Sequence, residues 1–228
     1  MWTISVPCWG EYYRRKFLYA ALPSTNAAIE HAAGPIKFIV FTDRPEDFAN
    51  VHFAGDVELH EFTGWSDGIY QAYGSIDRLV LELAEENSSI ALLPCDVIVS
   101  REFFSACEKR FAEGKRAIVA HAARTLVAPE DCPVGLSARE LLGWSLSRER
   151  RHPVTAGCFF GEGRNAVAWC TYWEGPKGIT SRLFHAHPFA LLNDRVLWFD
   201  RETVDLDLLD RFTKDEIHVV VDADEMAV

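Results

Sequence analysis

The sequence predicts an α/β fold, a single domain whose mostly parallel central sheet is flanked by helices. Over the first 122 residues, short apolar segments alternate with longer segments of helical periodicity. This spacing is typical of crossover connections between parallel strands. Several of the short segments, such as FIVF (38–41) and IALL (90–93), are apolar at every position. Uninterrupted apolar strands are expected where helices cover both faces of a sheet.

The individual elements follow from apolar periodicity and from the residues that end each segment. The predicted strands are 3–9, 36–43, 57–62, 89–99, 116–122 and 216–222. The predicted helices are 11–34, 68–87, 101–114 and 137–150, and Pro23 should kink or interrupt the first. Segments 154–163 and 182–192 are apolar but less regular. Because no repeat or linker is visible, we expect one domain over residues 1–228.

Composition excludes several classes of protein. The 34 acidic and 23 basic residues give a net charge of −11, which repels phosphate backbones and disfavours nucleic-acid binding. No apolar stretch approaches the about 18–20 residues that a membrane span needs, and the N-terminus lacks signal-peptide features. The six cysteines are scattered without a C-x-x-C pair, which is typical of reduced thiols. We therefore expect a cytoplasmic protein without an integral membrane segment.

Three acids fall at the carboxyl ends of predicted strands, where ligands bind in open parallel sheets. They are Asp43, Asp96 and Asp222. Asp43 could equally be a helix N-cap or Asx-turn residue, and Asp222 could belong to a solvated acidic tail. Asp96 interrupts an apolar segment, so it needs a partner: a cluster of backbone N–H groups, an arginine such as Arg78, or a divalent cation.

Two histidines, His185 and His187, share the apolar segment FHAHP. On a strand, positions i and i+2 face the same side, so the two imidazoles could bind a metal together. The glycine-rich phosphate loops of nucleotide-binding proteins are missing from the sequence. A phosphate ligand would therefore be held by a metal or by basic side chains.

The order of these motifs resembles that of GT-A-type glycosyltransferases, the nucleotide-diphospho-sugar transferase superfamily, and its glycogenin and galactosyltransferase-like group in particular. The matching segments are IVFTD (39–43), SIDRLVLELA (75–84), ALLPCDVIV (91–99), TAGCFFG (155–161) and FHAHP (184–188). They cover residues 3–200, and each is weak on its own. The departure is Pro94, which stands where the family's D-x-D motif has its first acid.

The resemblance implies a GT-A-like fold, with a nucleotide-binding half over 1–122 and an acceptor-side half over 123–228. It implies transfer of a sugar from a nucleotide-sugar donor to a glycan, lipid or small-molecule acceptor, assisted by a divalent metal, manganese or magnesium. The implied metal ligands are Asp96, His185 and His187. The implied donor-binding residues are Cys8 and Trp9 at the nucleoside, Asp43 at the base or ribose, Arg78 at the diphosphate, and Gly157 at the sugar. No residue is assigned as the catalytic base, so retention and inversion both stay open.

Two alternatives remain beside the transferase. One is a non-catalytic nucleotide- or sugar-binding descendant of the same fold, which Pro94 favours because proline cannot bind a metal. The other, a Rossmann-type oxidoreductase, is disfavoured because no G-x-G-x-x-G motif follows the first strand.

Overall fold

The computed structural model describes residues 1–64, 69–120, 127–149, 159–160, 167–168, 170–175, 178–183, 187–194, 211–222 and 224–226. Its strands are β1 (Trp2–Cys8), β2 (Ile36–Thr42), β3 (Asp56–Glu61), β4 (Ser88–Leu92), β5 (Ala117–Ala120), β6 (Phe159–Phe160), β7 (Val167–Ala168), β8 (Cys170–Gly175), β9 (Gly178–Leu183), β10 (His187–Asn193) and β11 (Ile217–Val219). Its α-helices are α1 (Gly10–Lys16), α2 (Leu22–Ile29), α3 (Ile69–Leu83), α4 (Phe103–Ala112) and α5 (Ala138–Glu149). Short 3₁₀ turns cover Pro45–Phe48 and Pro129–Asp131.

Within the described part of the chain, seven strands form the central sheet in the order β11-β5-β10-β4-β1-β2-β3. Strand β1 is parallel to β2 and β4, β2 is parallel to β3, and β5 is parallel to β11. Strand β10 runs antiparallel to both of its neighbours, β4 and β5. This confirms the predicted α/β class with a mostly parallel sheet flanked by helices.

The side of the sheet on which successive strands are added changes between β3 and β4. Strands β2 and β3 are added on one side of β1, and β4 is then placed on the other side. The connections that leave β1 and β4 start at adjacent strand ends and then pack against each other on one face of the sheet, where Ser24 of α2 bonds the backbone of Val99. The surface at the carboxyl ends of these two strands is the expected ligand-binding crevice. Crevices at such reversal points are where open α/β sheets bind ligands.

Both faces of the sheet are covered, as the apolar strands predicted. Residues Trp2, Ile4 and Val6 of β1 belong to a core cluster on the face that also contains Phe103 and Phe104 of α4. A second cluster on the other face contains Ile39, Phe41, Ile76, Val80 and Ile90, of which Ile76 and Val80 come from α3. Each fully buried side chain of this size stabilises the fold by about 1.5–3 kcal/mol.

The first helical segment is interrupted, as Pro23 predicted. A π-helical turn at Phe17–Ala21 separates α1 from α2, and the amide of Leu22 donates to the carbonyl of Phe17, five residues earlier. Proline has no N–H and its ring clashes with the preceding turn, so widening that turn relieves the clash. The second helix ends at Ile29, before Gly34, which has a positive φ of 109°.

The predicted strand 89–99 is too long. Strand β4 ends at Leu92, and the amide of Val97 donates to the carbonyl of Pro94 at 3.0 Å, which closes a turn around Asp96. Val99 is buried beyond this turn. The hydroxyl of Ser24 in α2 accepts from its amide at 2.7 Å and donates to its carbonyl at 3.0 Å. The apolar residues after Asp96 therefore pack against α2 instead of continuing the strand.

The chain after β11 packs across α4. Met226 is 4% exposed and its sulfur lies 3.7 Å from that of Cys107. The Glu225 carboxylate accepts from Arg110 at 2.6 Å and contacts His218 at 2.9 Å. None of the helices in the described ranges is both long and apolar enough to span a membrane.

Candidate functional site

The crevice between β1 and β4 brings together residues that are distant in the sequence. Cys8 is the last residue of β1 and pairs in register with Thr42, the last residue of β2. Asp43 follows directly, and Asp96 lies in the turn that follows β4. The carboxyl-edge position predicted for both acids is therefore where the structure places them.

The floor of the crevice contains two thiols. Cys8 and Cys95 are 0% and 1% exposed, and their side chains are hydrogen-bonded to each other. This contact raises the pKa of the Cys95 thiol well above its ordinary value, and burial adds to the increase. Cys8 is thus a buried link between β1 and the turn that carries Asp96.

Asp43 fixes the start of the first helix. Its Oδ1 atom accepts from the amide of Gly10 at 3.0 Å and from Nη1 of Arg14 at 2.6 Å. Gly10 has a φ of 72°, a left-handed conformation that favours glycine. Partial burial opposes ionisation of Asp43, but the hydrogen bonds from Gly10 and Arg14 outweigh it and lower the pKa of the carboxyl. Arg14 also binds Asp47 at 2.8 Å.

Asp96 lies on the surface of the crevice and is paired with a lysine. Its side chain is 38% exposed, and Oδ2 is 3.1 Å from Nζ of Lys16 in α1. The same ammonium lies 4.6 Å from the ring centre of Tyr12 and 5.4 Å from that of Tyr13. Burial opposes the charge on Lys16, but the attraction of Asp96 outweighs it and raises the pKa of the lysine. Lys16 is therefore a charged ammonium at neutral pH.

Aromatic rings line the same end of the sheet. Trp9 stacks on Tyr13 with ring centres 5.1 Å apart and planes inclined by 30°. Tyr73 of α3 meets Trp9 edge-on at 5.6 Å. Burial raises the pKa of the Tyr73 phenol, and the negative charge of Asp96 contributes. The rings give the crevice an apolar wall that can stack on a planar base or on the face of a sugar.

Four predicted site residues remain: Arg78, His187, His185 and Gly157. Arg78 is exposed on α3, on the side of the helix opposite the buried Ile76 and Val80. His187 is the first residue of β10 and pairs in register with Ala120, the last residue of β5. Its backbone therefore lies at the same edge of the sheet as Asp96. His185 and Gly157 lie outside the described residues.

Sequence reasoning missed Lys16, Arg14, Tyr13, Tyr73 and Cys95. A signal existed for two of them, because Trp9, Tyr13 and Lys16 follow the first strand at positions i, i+4 and i+7. That spacing places side chains on one face of a helix, and a helix that follows a parallel strand starts at the carboxyl edge. The partners predicted for Asp96 were a cluster of backbone N–H groups, an arginine such as Arg78, or a divalent cation, whereas the structure places Lys16 there.

The divalent metal implied by the resemblance has a sparse set of ligands. Among the described residues, no group of three or more His, Cys, Asp or Glu side chains is arranged to hold a metal ion. Asp96 offers one carboxylate, and Pro94 offers no ligand in the neighbouring position. Magnesium often binds through only one or two carboxylates when substrate phosphates complete its shell. Among the described residues, Asp96 is the one implied ligand whose side chain is placed, and it is paired with Lys16, so this part of the site does not by itself fit a metal ion.

Comparison with known proteins gives a distant match. No family model matches the chain, and no curated protein was found to be similar to it. One matching solved structure is residues 1–349 of TarS from S. aureus. The two are 15% identical with a TM-score of 0.37, and the match covers 55% of this chain and 38% of that one. The case for a function therefore rests on the residues of the site.

Proposed function

We propose that the protein is a glycosyltransferase that moves a sugar from a nucleotide-diphosphate donor to an acceptor. The observation that carries the proposal is the crevice between β1 and β4, where Asp43, Asp96 and the ring of Trp9 come together at the carboxyl edge of the sheet. A donor of this kind has a planar base, a ribose, a diphosphate and a sugar. The crevice offers chemistry suited to the first three.

The nucleoside would occupy the side of the crevice next to β1 and β2. Trp9, backed by Tyr13 and Tyr73, provides a ring on which a base can stack. Asp43 stands at the end of β2, with Oδ1 already accepting from Gly10 and Arg14. A ribose hydroxyl or a base N–H would therefore bond to Oδ2. Cys8 supports this region from below.

The diphosphate would lie next to the turn after β4. Asp96 would hold a manganese or magnesium ion there, with His185 and His187 as the further ligands implied by the resemblance. A divalent cation between the two phosphates would act as a Lewis acid and stabilise the negative charge that develops on the leaving diphosphate. Arg78 is proposed as a second cationic contact, because a guanidinium can bind phosphate oxygens in pairs.

In the reaction, the bond between the anomeric carbon and the diphosphate oxygen breaks, and the acceptor hydroxyl oxygen bonds to that carbon. The acceptor hydroxyl loses its proton, and the nucleoside diphosphate leaves with the electron pair. Gly157 is proposed to make room for the sugar. A glycan, a lipid or a small molecule can supply the hydroxyl group.

A second function is favoured by two observations at Asp96. Pro94 replaces one acid of the expected pair, and Lys16 already neutralises the other. Both features suit a non-catalytic protein that binds a nucleotide or a sugar on the same fold without a metal. Such a protein would bind the donor and leave it intact.

A donor-binding experiment tests the proposal and separates the two functions. UDP- and GDP-sugars are titrated into the protein by calorimetry in EDTA and in manganese, and release of UDP or GDP is followed over hours. The transferase predicts donor binding strengthened by manganese, together with slow donor hydrolysis that the substitution Asp96→Asn reduces by at least about tenfold. Binding without hydrolysis, unaffected by manganese, supports the binding protein. Absence of binding to every donor rejects both.

The proposed location is the cytoplasm. The four cysteines whose side chains the structure describes, Cys8, Cys95, Cys107 and Cys132, are free thiols. Free thiols persist in reducing compartments, which supports this location.

A further inference from the structure

Two neighbouring strands lead into the same short sequence, a proline followed by a cysteine. The two segments are VPC, which ends β1 at Cys8, and LPC, which follows β4 and ends at Cys95. Strands β1 and β4 are parallel, with Ser5 in register with Leu92. The same register, continued for three residues, places Cys8 beside Cys95.

The side chains of this cysteine pair are in contact on one face of the sheet. Both belong to the core cluster that includes residues of α4, and they are 0% and 1% exposed and hydrogen-bonded to each other. Adjacent strands lie about 4.8 Å apart, which is within the Cα separations of about 4.4–6.8 Å that disulfides span. Proline fixes its own φ, so the backbone before each thiol is restrained. The pair can therefore become a disulfide with little movement of the backbone.

We propose that Cys8 and Cys95 are a redox modification site, at which a peroxide converts the two thiols into a reversible disulfide. Asp96 follows Cys95 directly and its side chain is 38% exposed, so the pair lies just below the surface of the crevice. Hydrogen peroxide is similar in size to water and can reach sulfurs that a larger alkylating reagent cannot. This inference goes beyond the proposed function and does not depend on it.

The oxidation takes place in two steps. The Cys8 thiolate attacks one oxygen of hydrogen peroxide and the O–O bond breaks, which gives a sulfenic acid at Cys8 and a hydroxide that takes up the proton released by Cys8. The Cys95 thiol then attacks the Cys8 sulfur, the S–S bond forms, and the sulfenic hydroxyl leaves with the Cys95 proton as a second water. The two thiols lose two electrons and the peroxide gains two. A thiol reductant reverses the reaction by disulfide exchange.

The contact between the thiols suits both steps. The hydrogen bond with Cys8 raises the pKa of Cys95 well above its ordinary value, so Cys95 keeps its proton. An S–H group in this position can donate to a sulfur anion at Cys8 and stabilise the attacking thiolate. After the first step, the same contact holds Cys95 beside the sulfenic sulfur. The disulfide therefore forms before a second peroxide can oxidise Cys8 further.

The disulfide would connect two parts of the crevice covalently. Trp9 follows Cys8 and Asp96 follows Cys95, so the bond fixes the separation of the two segments that carry them. It also closes a loop of the chain that runs from the end of β1 to the turn after β4. Closing a long loop restricts the unfolded chain and thereby stabilises the folded protein.

The test maps the disulfide in the full chain. Reduced wild type, Cys8→Ser, Cys95→Ser and Cys107→Ser are treated with hydrogen peroxide in the presence of a chelator, and catalase then removes the peroxide. The remaining thiols are alkylated in urea, and tryptic peptides are compared with and without dithiothreitol by mass spectrometry. Cys107 is the matched control, because it is also 0% exposed but its sulfur contacts the thioether of Met226, which cannot form a disulfide.

In wild type and Cys107→Ser, we expect peptide 1–14, which contains Cys8, to be linked to peptide 79–101, which contains Cys95. This linkage should be at least about tenfold more abundant than any other, because these two sulfurs are already in contact. The urea midpoint of unfolding should rise after peroxide treatment and return to its first value after dithiothreitol. Cys8→Ser and Cys95→Ser should show neither the linkage nor the rise.

Three results in wild type would overturn the inference, and none of them depends on the folding of a variant. Recovery of Cys8 and Cys95 as alkylated thiols after peroxide has oxidised Cys132 would show that the oxidant does not reach the pair. A sulfinic acid at Cys8 together with an intact thiol at Cys95 would show that the second step does not occur. Linkage of either cysteine to Cys132 in comparable yield would show that the cross-linking is not selective.

Discussion

Arg14 and Asp43 connect the first helix to the end of the second strand through a contact of 2.6 Å between Nη1 and Oδ1. Asp43 also holds the amide of Gly10, so one carboxylate bonds both the first turn of α1 and a side chain further along it. This arrangement fixes the direction in which α1 leaves β1. Trp9 directly precedes that helix and Lys16 is its last residue, so the positions of both side chains depend on Asp43.

The first prediction concerns Asp43→Asn. The substitution removes a charge-assisted bond to the buried Arg14, and we expect a loss of about 1–2 kcal/mol in the free energy of unfolding at pH 7. Because the pKa of Asp43 is lower in the folded protein, its contribution is present above the unfolded value and is lost as pH falls through the folded pKa. The difference between wild type and variant should therefore shrink between pH 5 and pH 3, as measured by urea unfolding.

Glu46→Gln is the control for that measurement. Glu46 also has a lowered pKa, but it is paired with Arg44 on the surface, with side chains 64% and 54% exposed. Exposed pairs contribute little, so Glu46→Gln should leave the free energy of unfolding nearly unchanged across the pH range. A difference for Asp43→Asn that stays constant down to pH 3 would contradict the linkage.

The second prediction compares two buried hydroxyls. Thr3 Oγ1 is buried and has no hydrogen-bond partner, so Thr3→Val should increase the free energy of unfolding by about 1 kcal/mol. Ser24→Ala should lower the free energy of unfolding by about 1–3 kcal/mol, because the Ser24 hydroxyl bonds both the amide and the carbonyl of the buried Val99. Chemical denaturation of both variants measures the effects. Destabilisation by Thr3→Val would indicate that its hydroxyl has a partner after all.

The third prediction concerns thiol reactivity. Burial raises the pKa of Cys107, and the contact with Cys8 raises that of Cys95, so few thiolates are present at these two positions. Cys132 is only partly buried. Pulsed iodoacetamide labelling of the native protein should therefore modify Cys132 well before Cys8, Cys95 and Cys107, as peptide mass spectrometry can resolve. Equal labelling of Cys95 and Cys132 would show that the crevice floor opens to solvent.

The fourth prediction concerns Trp9 as a reporter of donor binding. Stacking of a base on its ring should quench tryptophan fluorescence when UDP or GDP is added. Trp9→Phe should lose this change, whereas Trp144→Phe, on α5, should keep it. Quenching that survives in Trp9→Phe would place the base elsewhere.

The sequence was sufficient to predict the parallel part of the sheet. Strands such as β2 have an uninterrupted apolar centre, FIVF (38–41), and end in turn residues, so their type and limits follow from the local pattern. Strand β4 was drawn too long because Val97 and Val99 look like strand residues. Their environment is set by Ser24, 75 residues away, and a local pattern cannot reveal that contact.

The sequence predicted where the acids of the candidate site lie, but not which side chains contact them. Asp43 and Asp96 were placed at the carboxyl edge because both follow apolar strands. The identity of the cation beside Asp96 depends on the direction of α1, which Asp43 and Gly10 set. That direction is a tertiary property, so the sequence offered Arg78 while the fold placed Lys16 against the acid.

The position of β10 has a consequence for synthesis of the chain. Strands β4 and β5 are consecutive along the chain but do not pair with each other, because β10 (His187–Asn193) lies between them and pairs with both. A nascent chain that has emerged as far as residue 122 carries two unpaired strand edges, which favour association with other chains. We therefore expect the ribosome-bound protein to depend on chaperones until β10 has been translated.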